Sequence, residues 1–384
     1  MRQRALLLWI LAAWALAGCQ GNPTYAGYPP IPGPAPDTEV VAVSPEIAAA
    51  DHPVFYYRDA QNPNRLLAYD WSGTLRGSLA VSASEFSATP SADGRFLLLM
   101  GAHLVSGGQV LGRVSPGTWA GDGVHLCTFL NHLGGPGQPR TRQLSANSFE
   151  GIDTPATLFY ESVAGERRRL LDYGEFGPHG GPAVLACNAA KDRAVIGGSF
   201  VGSISGLAMI RLSDGHAISQ QLGASHRGPE GTLVSPDASL LALGSTGGVS
   251  MPGGDAFTVF PIPSNEVVAQ IAGSGADAFS ADDTKVLTVE DVGGSNEHQQ
   301  YQVIDLATGR SIWNAVLSPG TVLTRPGTGD FLVASRTHEL SRTRVNSTDT
   351  FEDVWLVSAD GSARILLKHA APLQIRPADS SPTS

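Results

Sequence analysis

The chain has 384 residues, 42% hydrophobic and 16% charged, with 25 basic against 35 acidic residues and a net charge of −10. An acidic balance with no Lys/Arg cluster beyond Arg167-Arg168-Arg169 excludes a nucleic-acid binder, which needs a basic stripe to neutralise phosphates. The triplet itself reads as a solvated strand end or turn.

At the N-terminus Arg2 and Arg4 precede an uncharged run, Ala5–Ala17, then small residues and Cys19. This is the pattern of an export signal, and the run is shorter than the roughly 20 residues of a bilayer-spanning helix. Leu16-Ala17-Gly18-Cys19 resembles the lipobox of bacterial lipoproteins. The resemblance implies cleavage before Cys19 and diacylation of its thiol, so residues 1–18 are expected to be a lipoprotein signal peptide and the mature protein a lipid-anchored one. Because Gln20 rather than aspartate follows the cysteine, it further implies the outer membrane, on its periplasmic or surface side, in an organism with two membranes, and otherwise the outer face of the cytoplasmic membrane. Residues 19–38 hold six prolines, Pro23, Pro29, Pro30, Pro32, Pro34 and Pro36, and little to bury. They read as a linker that reaches up to roughly 60 Å when extended.

From residue 39 to 371 short apolar runs alternate with Gly, Asp, Ser and Pro, the signature of strands joined by tight turns. The turn segments around Asp192, Asp237, Asp282 and Gly327 recur every 45 residues, a period that specifies propeller blades. Ser91-Ala92-Asp93-Gly94 and Ala120-Gly121-Asp122-Gly123 carry the same turn upstream. Second hairpins follow, as in Tyr301–Asp305…Gly309-Arg310 and Trp355…Asp360-Gly361, so each unit is a four-stranded blade. Hairpin turns demand positive φ, which makes the recurring aspartates turn formers rather than metal ligands. The expected fold is all-β, a β-propeller of seven four-stranded blades, with six as the alternative; Val40–Val43 would either open the first blade or close the ring against the last. Residues 372–384 are mostly polar and read as a disordered tail.

These repeats resemble the TolB-like and WD-type propellers of bacterial envelope proteins, and Asp305…Gly309…Trp313 is similar to the tryptophan-docking motif of quinoprotein blades, complete in one blade only. The resemblance implies a fold, while propellers host many functions. No cofactor and no metal are expected, since no Cys-x-x-Cys or His-Glu-x-x-His spacing occurs. Cys127 and Cys187 fall in neighbouring repeats of an exported chain, where they are either bridged or two separate buried thiols.

In a blade the first-to-second and third-to-fourth turns share one face, and here they are short. The other face takes the insertions 131–154, 245–255, 290–299 and 336–352, and binding residues concentrate on such loops. Two blade-to-blade connections there bring His179, His226, Arg227 and Glu230 toward the channel mouth, with Glu290 and Asp291 nearby. They form either a polar pocket for an anionic or sugar-like ligand or plain Gly-Pro connectors. The favoured function is an envelope-tethered, non-catalytic module that binds or scaffolds an envelope protein. The alternative is a lactonase-like or sugar-processing enzyme with its site at the channel mouth; no Gly-x-Ser-x-Gly nucleophile elbow is present.

Overall fold

The computed structural model describes residues 38–47, 54–82, 86–131, 141–145, 148–151, 156–173, 183–200, 204–222, 232–244, 256–262, 264, 266–272, 276–292, 298–337 and 351–371. The leader with Cys19, most of the linker and the residues after Ala371 lie outside them.

The first two blades are built from β1 (Thr38–Val43), β2 (Val54–Asp59), β3 (Asn62–Asp70), β4 (Leu75–Val81), β5 (Ser87–Pro90), β6 (Phe96–Met100), β7 (Leu104–Ser106) and β8 (Gly108–Arg113). Blade 3 is β9 (Gly117–Trp119), β10 (His125–Asn131), β13 (Ala156–Ser162) and β14 (Arg167–Tyr173), with a separate hairpin of β11 (Thr141–Ser145) and β12 (Ser148–Gly151) between its middle strands. Blade 4 runs β15 (Ala183–Asn188), β16 (Arg193–Phe200), β17 (Ile204–Arg211), β18 (Ala217–Leu222), and blade 5 runs β19 (Thr232–Val234), β20 (Leu240–Gly244), β21 (Ala256–Pro261), β22 (Ala269–Ala272). Blade 6 is β23 (Ala276–Phe279), β24 (Lys285–Asp291), β25 (Gln299–Asp305) and β26 (Arg310–Leu317), and blade 7 is β27 (Val322–Thr324), β28 (Phe331–Thr337), β29 (Phe351–Val357) and β30 (Ala363–Ala370). All pairings are antiparallel, giving seven four-stranded blades in a ring.

Second strands carry runs of buried apolar residues on both faces, because each lies between two neighbouring blades. Phe331, Leu332, Val333 and Ala334 of β28 are all buried, as are Ala194, Val195 and Ile196 of β16. Outer strands such as β26 have no buried position and carry Val316 to solvent. The core is therefore distributed around the ring, with an apolar cluster at each junction between blades. Each fully buried Leu in them contributes roughly 1.5–3 kcal/mol.

Blades 1 and 2 are interlocked. Blade 1 has the order β2-β3-β4-β7, and blade 2 has β5-β6-β1-β8. The N-terminal strand thus neither opens the first blade nor closes the ring against the last, as its sequence position suggested. It is the third strand of blade 2, paired with β6 (Thr38 opposite Met100) and β8 (Val43 opposite Gly108). The reason is burial on both sides: Val40 packs with Leu98 and Trp119, and Val41 with Leu97 and Leu99. An edge position would leave one of those faces wet.

Candidate functional site

The short-turn face is held by the repeating aspartates. Asp93 Oδ1 accepts from the Arg95 N–H at 3.1 Å and from Ser91 Oγ at 2.6 Å. Asp237 Oδ1 accepts from the Ser239 N–H at 2.8 Å, and Asp282 Oδ1 from the Thr284 N–H at 3.1 Å. The next residue in each turn has positive φ, 72° at Gly94, 59° at Ala238 and 57° at Asp283. These carboxylates therefore cap turns, and several also join blades: Lys191 pairs with Asp237, and Ser239 Oγ donates to Asp283 Oδ2 at 2.5 Å. The arginine triplet opens β14 with all three residues exposed, a solvated strand end as its sequence suggested, and it also makes defined contacts. Arg167 Nη2 lies 2.9 Å from the fully buried Glu161, and Arg168 donates to the Leu212 and Ser213 carbonyls of blade 4 at 2.6 and 3.2 Å.

Cys127 of β10 and Cys187 of β15 form a disulfide between blades 3 and 4, with α-carbons 6.0 Å apart. Both are buried, among Ala120, Ala194 and Leu212. The open choice between a bridge and two thiols is resolved in favour of the bridge.

The strand order puts the four long segments between second and third strands, hence on one face. Thr38, opposite Met100 at the end of β6, starts β1 on that face too. Glu290 and Asp291 are successive residues at the end of β24, opposite Gln300 and Gln299, and Glu290 is exposed. His179, His226, Arg227 and Glu230 lie outside the described residues, in the connections from β14 to β15 and from β18 to β19.

A different set gathers at the long-loop end of the junctions between blades 6, 7 and 1. Glu352, almost wholly buried at the start of β29, sits opposite Arg336 of β28. The Tyr57 hydroxyl of β2 faces its Oε2 at 3.5 Å. Burial pushes the Glu352 carboxyl up to about 6, against the opposing pull of Arg336 and of hydrogen bonds from Thr321 and Tyr57. Tyr301 accepts from the Gly320 N–H at 3.2 Å and donates to Gln299 Oε1 at 3.1 Å. Asp277 of β23 is open to water at its surface yet ringed closely enough by protein that desolvation raises its carboxyl. Beside this cluster an apolar cleft is lined by Phe55, Tyr56 and Tyr57 of β2, Ala88 and Pro90 of β5, and Thr321 and Leu323 at β27. Sequence reasoning passed over Glu352 and Tyr57, which are 295 residues apart. The available signal was Glu352 in phase with the buried Val354 and Leu356, a carboxylate written into the core side of a strand.

Propeller structures with similar backbones are numerous, and TolB proteins are among them. TolB from Acinetobacter baumannii is 14% identical, with a TM-score of 0.40, over 81% of this chain and 62% of that one. The hydrazine synthase of Kuenenia stuttgartiensis is 16% identical, with a TM-score of 0.37, over 56% of this chain and 62% of that one. The dihydro-heme d1 dehydrogenase NirN is 14% identical, with a TM-score of 0.42, over 91% of this chain and 77% of that one. The chain thus spans less than two thirds of the first two. At these identities no function is carried over from any of them. No protein-family profile matches the sequence. No curated protein matches it either.

Proposed function

We propose that the protein is an envelope-tethered lipoprotein whose propeller binds or scaffolds an envelope protein through its long-loop face. The observation that carries this reading is the position of Thr38: the linker from Cys19 joins the body on the same face as the long second-to-third-strand segments. A tether entering there holds that face within roughly 60 Å of the membrane. The buried Cys127–Cys187 bridge supports export, since structural disulfides persist in oxidising compartments.

The test is fractionation of cells making the full chain or Cys19→Ser, with a clickable fatty acid as label, followed by cross-linking. The intact chain is expected in the membrane fraction with label on it, and Cys19→Ser unlabelled and released. Partners cross-linked to the intact chain should be lost when residues 132–155 and 338–350 are replaced by tight turns. An unlabelled membrane form would sink the tether, and unchanged partners after trimming would sink the face.

A second reading, an enzyme with its site at the channel mouth, has the raised carboxyl of Glu352 beside Tyr57 in its favour. Turnover of lactone or glycoside substrates that Glu352→Gln abolishes would establish it over the first.

A further inference from the structure

Blade 1 is built differently from the other six. Its turn Trp71–Thr74 lies on the short-turn face, because the Arg325 guanidinium of the blade 7 turn stacks over Trp71 at 6.0 Å. Gly73 abuts the Leu366 carbonyl of β30, the place that Gly215 takes against Leu170 and Gly361 takes against Ile312. Gly215 and Gly361 sit in turns between third and fourth strands, so β3 and β4 are the third and fourth strands of blade 1. That makes β2 a second strand. Its burial agrees: Val54, Phe55, Tyr56 and Tyr57 are all buried, as in β28, whereas inner strands such as β27 are partly exposed throughout. β7 brings the blade to four strands on the outer side. The inner position, over β2 and between β5 and β27, corresponds to the cleft lined by Phe55, Tyr56, Tyr57, Ala88, Thr321 and Leu323.

The chain reaches that position at its last described residue. β30 ends at Ala370, and the Arg58 N–H donates to the Ala371 carbonyl at 2.9 Å in an isolated antiparallel bridge. Among the described residues this is the one ladder contact on the inner edge of β2. Backbone groups alternate along a strand, so those of Val54 and Tyr56 face inward as those of Arg58 do, and buried backbone groups need partners.

We propose that the segment Pro372–Arg376 docks as the inner strand of blade 1, antiparallel to β2, and closes the ring. The bridge fixes its register. Pro372 falls opposite Tyr57, Leu373 opposite Tyr56, Gln374 opposite Phe55 and Ile375 opposite Val54. Arg58 and Ala371 are a hydrogen-bonded pair, so Pro372 occupies a non-hydrogen-bonded site where its missing N–H is not needed. Leu373 and Ile375 then share the side of Tyr56 and Val54, which pack with Ala88 and Leu99 toward blade 2, and Gln374 falls on the side of Phe55, toward blade 7. An extended peptide from a partner could fill the same edge, but the tail starts there already placed, at high effective concentration.

Hydrogen exchange on the full chain with Cys19→Ser tests this. The amides of Leu373, Ile375, Val54 and Tyr56 are expected to exchange on the order of 100-fold more slowly than unstructured ones. In a chain ending at Ala371, Val54 and Tyr56 should lose that protection. In the same Cys19→Ser background, Val54→Cys with Ile375→Cys should oxidise to a disulfide, and Val54→Cys with Ser381→Cys should not. Exchange of residues 372–376 at unstructured rates overturns the proposal. So does protection of β2 that survives truncation, which would mean another strand fills the position, and so does equal cross-linking in both pairs.

Discussion

Glu352 is a carboxyl that the fold keeps easier to protonate than the unfolded chain does. Burial raises it from 4.5 to about 6, and Tyr57 and Thr321 supply too little hydrogen bonding to reverse this. A raised carboxyl favours the folded state in its protonated form. Its stabilisation is complete below about 4.5 and is lost as pH rises through about 6, a difference of ~2 kcal/mol. Asp277 is raised by burial too, so the reading must be a difference between proteins. Lowering the pH from 7 to 5 should raise the melting temperature of the native chain by a few degrees more than that of Glu352→Gln, which is neutral at both. Equal slopes for the two proteins would mean that the carboxyl is already ionised and solvated in the fold. Burial raises Asp283 of the blade 6 turn as well, which the same difference cancels, whereas the hydrogen bonds that outweigh desolvation lower Asp70 to about 2 and also lower Asp282, away from this window.

The position of Glu352 was readable in its strand, through its phase with Val354 and Leu356, while its neighbour Tyr57 was not, because nothing local in either strand encodes a junction between the last blade and the first. At the scale of elements the same contrast holds. The turns at Asp93, Asp237 and Asp282 were legible because a hairpin with positive φ restricts which residues can stand there, and the 45-residue spacing of the turns around Asp192, Asp237, Asp282 and Gly327 gave the blades. The strand exchange was not legible, since Val40–Val43 suits any strand that is buried on both faces. What decides its place is the match of Val40 and Val41 to the two sides of blade 2. Val41→Asp should therefore destabilise by several kcal/mol, with hydrogen exchange accelerating first in blades 1 and 2. Val110→Asp, on the exposed outer strand β8, should change little, and equally mild effects would place β1 at an edge after all.

On the scale of the molecule, a ring of blades each packed on two neighbours is stabilised junction by junction, so a single opened junction can unravel what lies beyond it. Two junctions are locked by the chain itself, beyond apolar packing and side-chain hydrogen bonds: strand exchange joins blades 1 and 2, and Cys127–Cys187 joins blades 3 and 4. The bridge spans 60 residues, and closing a loop of that length in the unfolded chain corresponds to about 4 kcal/mol of stabilisation in the chain-entropy account. Because both sulfurs are buried among Ala120, Ala194 and Leu212, alanine at the two positions keeps the junction apolar at the cost of a small void. Urea unfolding of Cys127→Ala/Cys187→Ala should show a lower midpoint than the oxidised native chain. The native chain treated with a strong reductant should move most of the way toward the variant, since reduction removes the same cross-link while leaving the packing. If reduction leaves the midpoint in place while the variant falls, the loss belongs to packing at the junction, and the covalent link adds little to the ring.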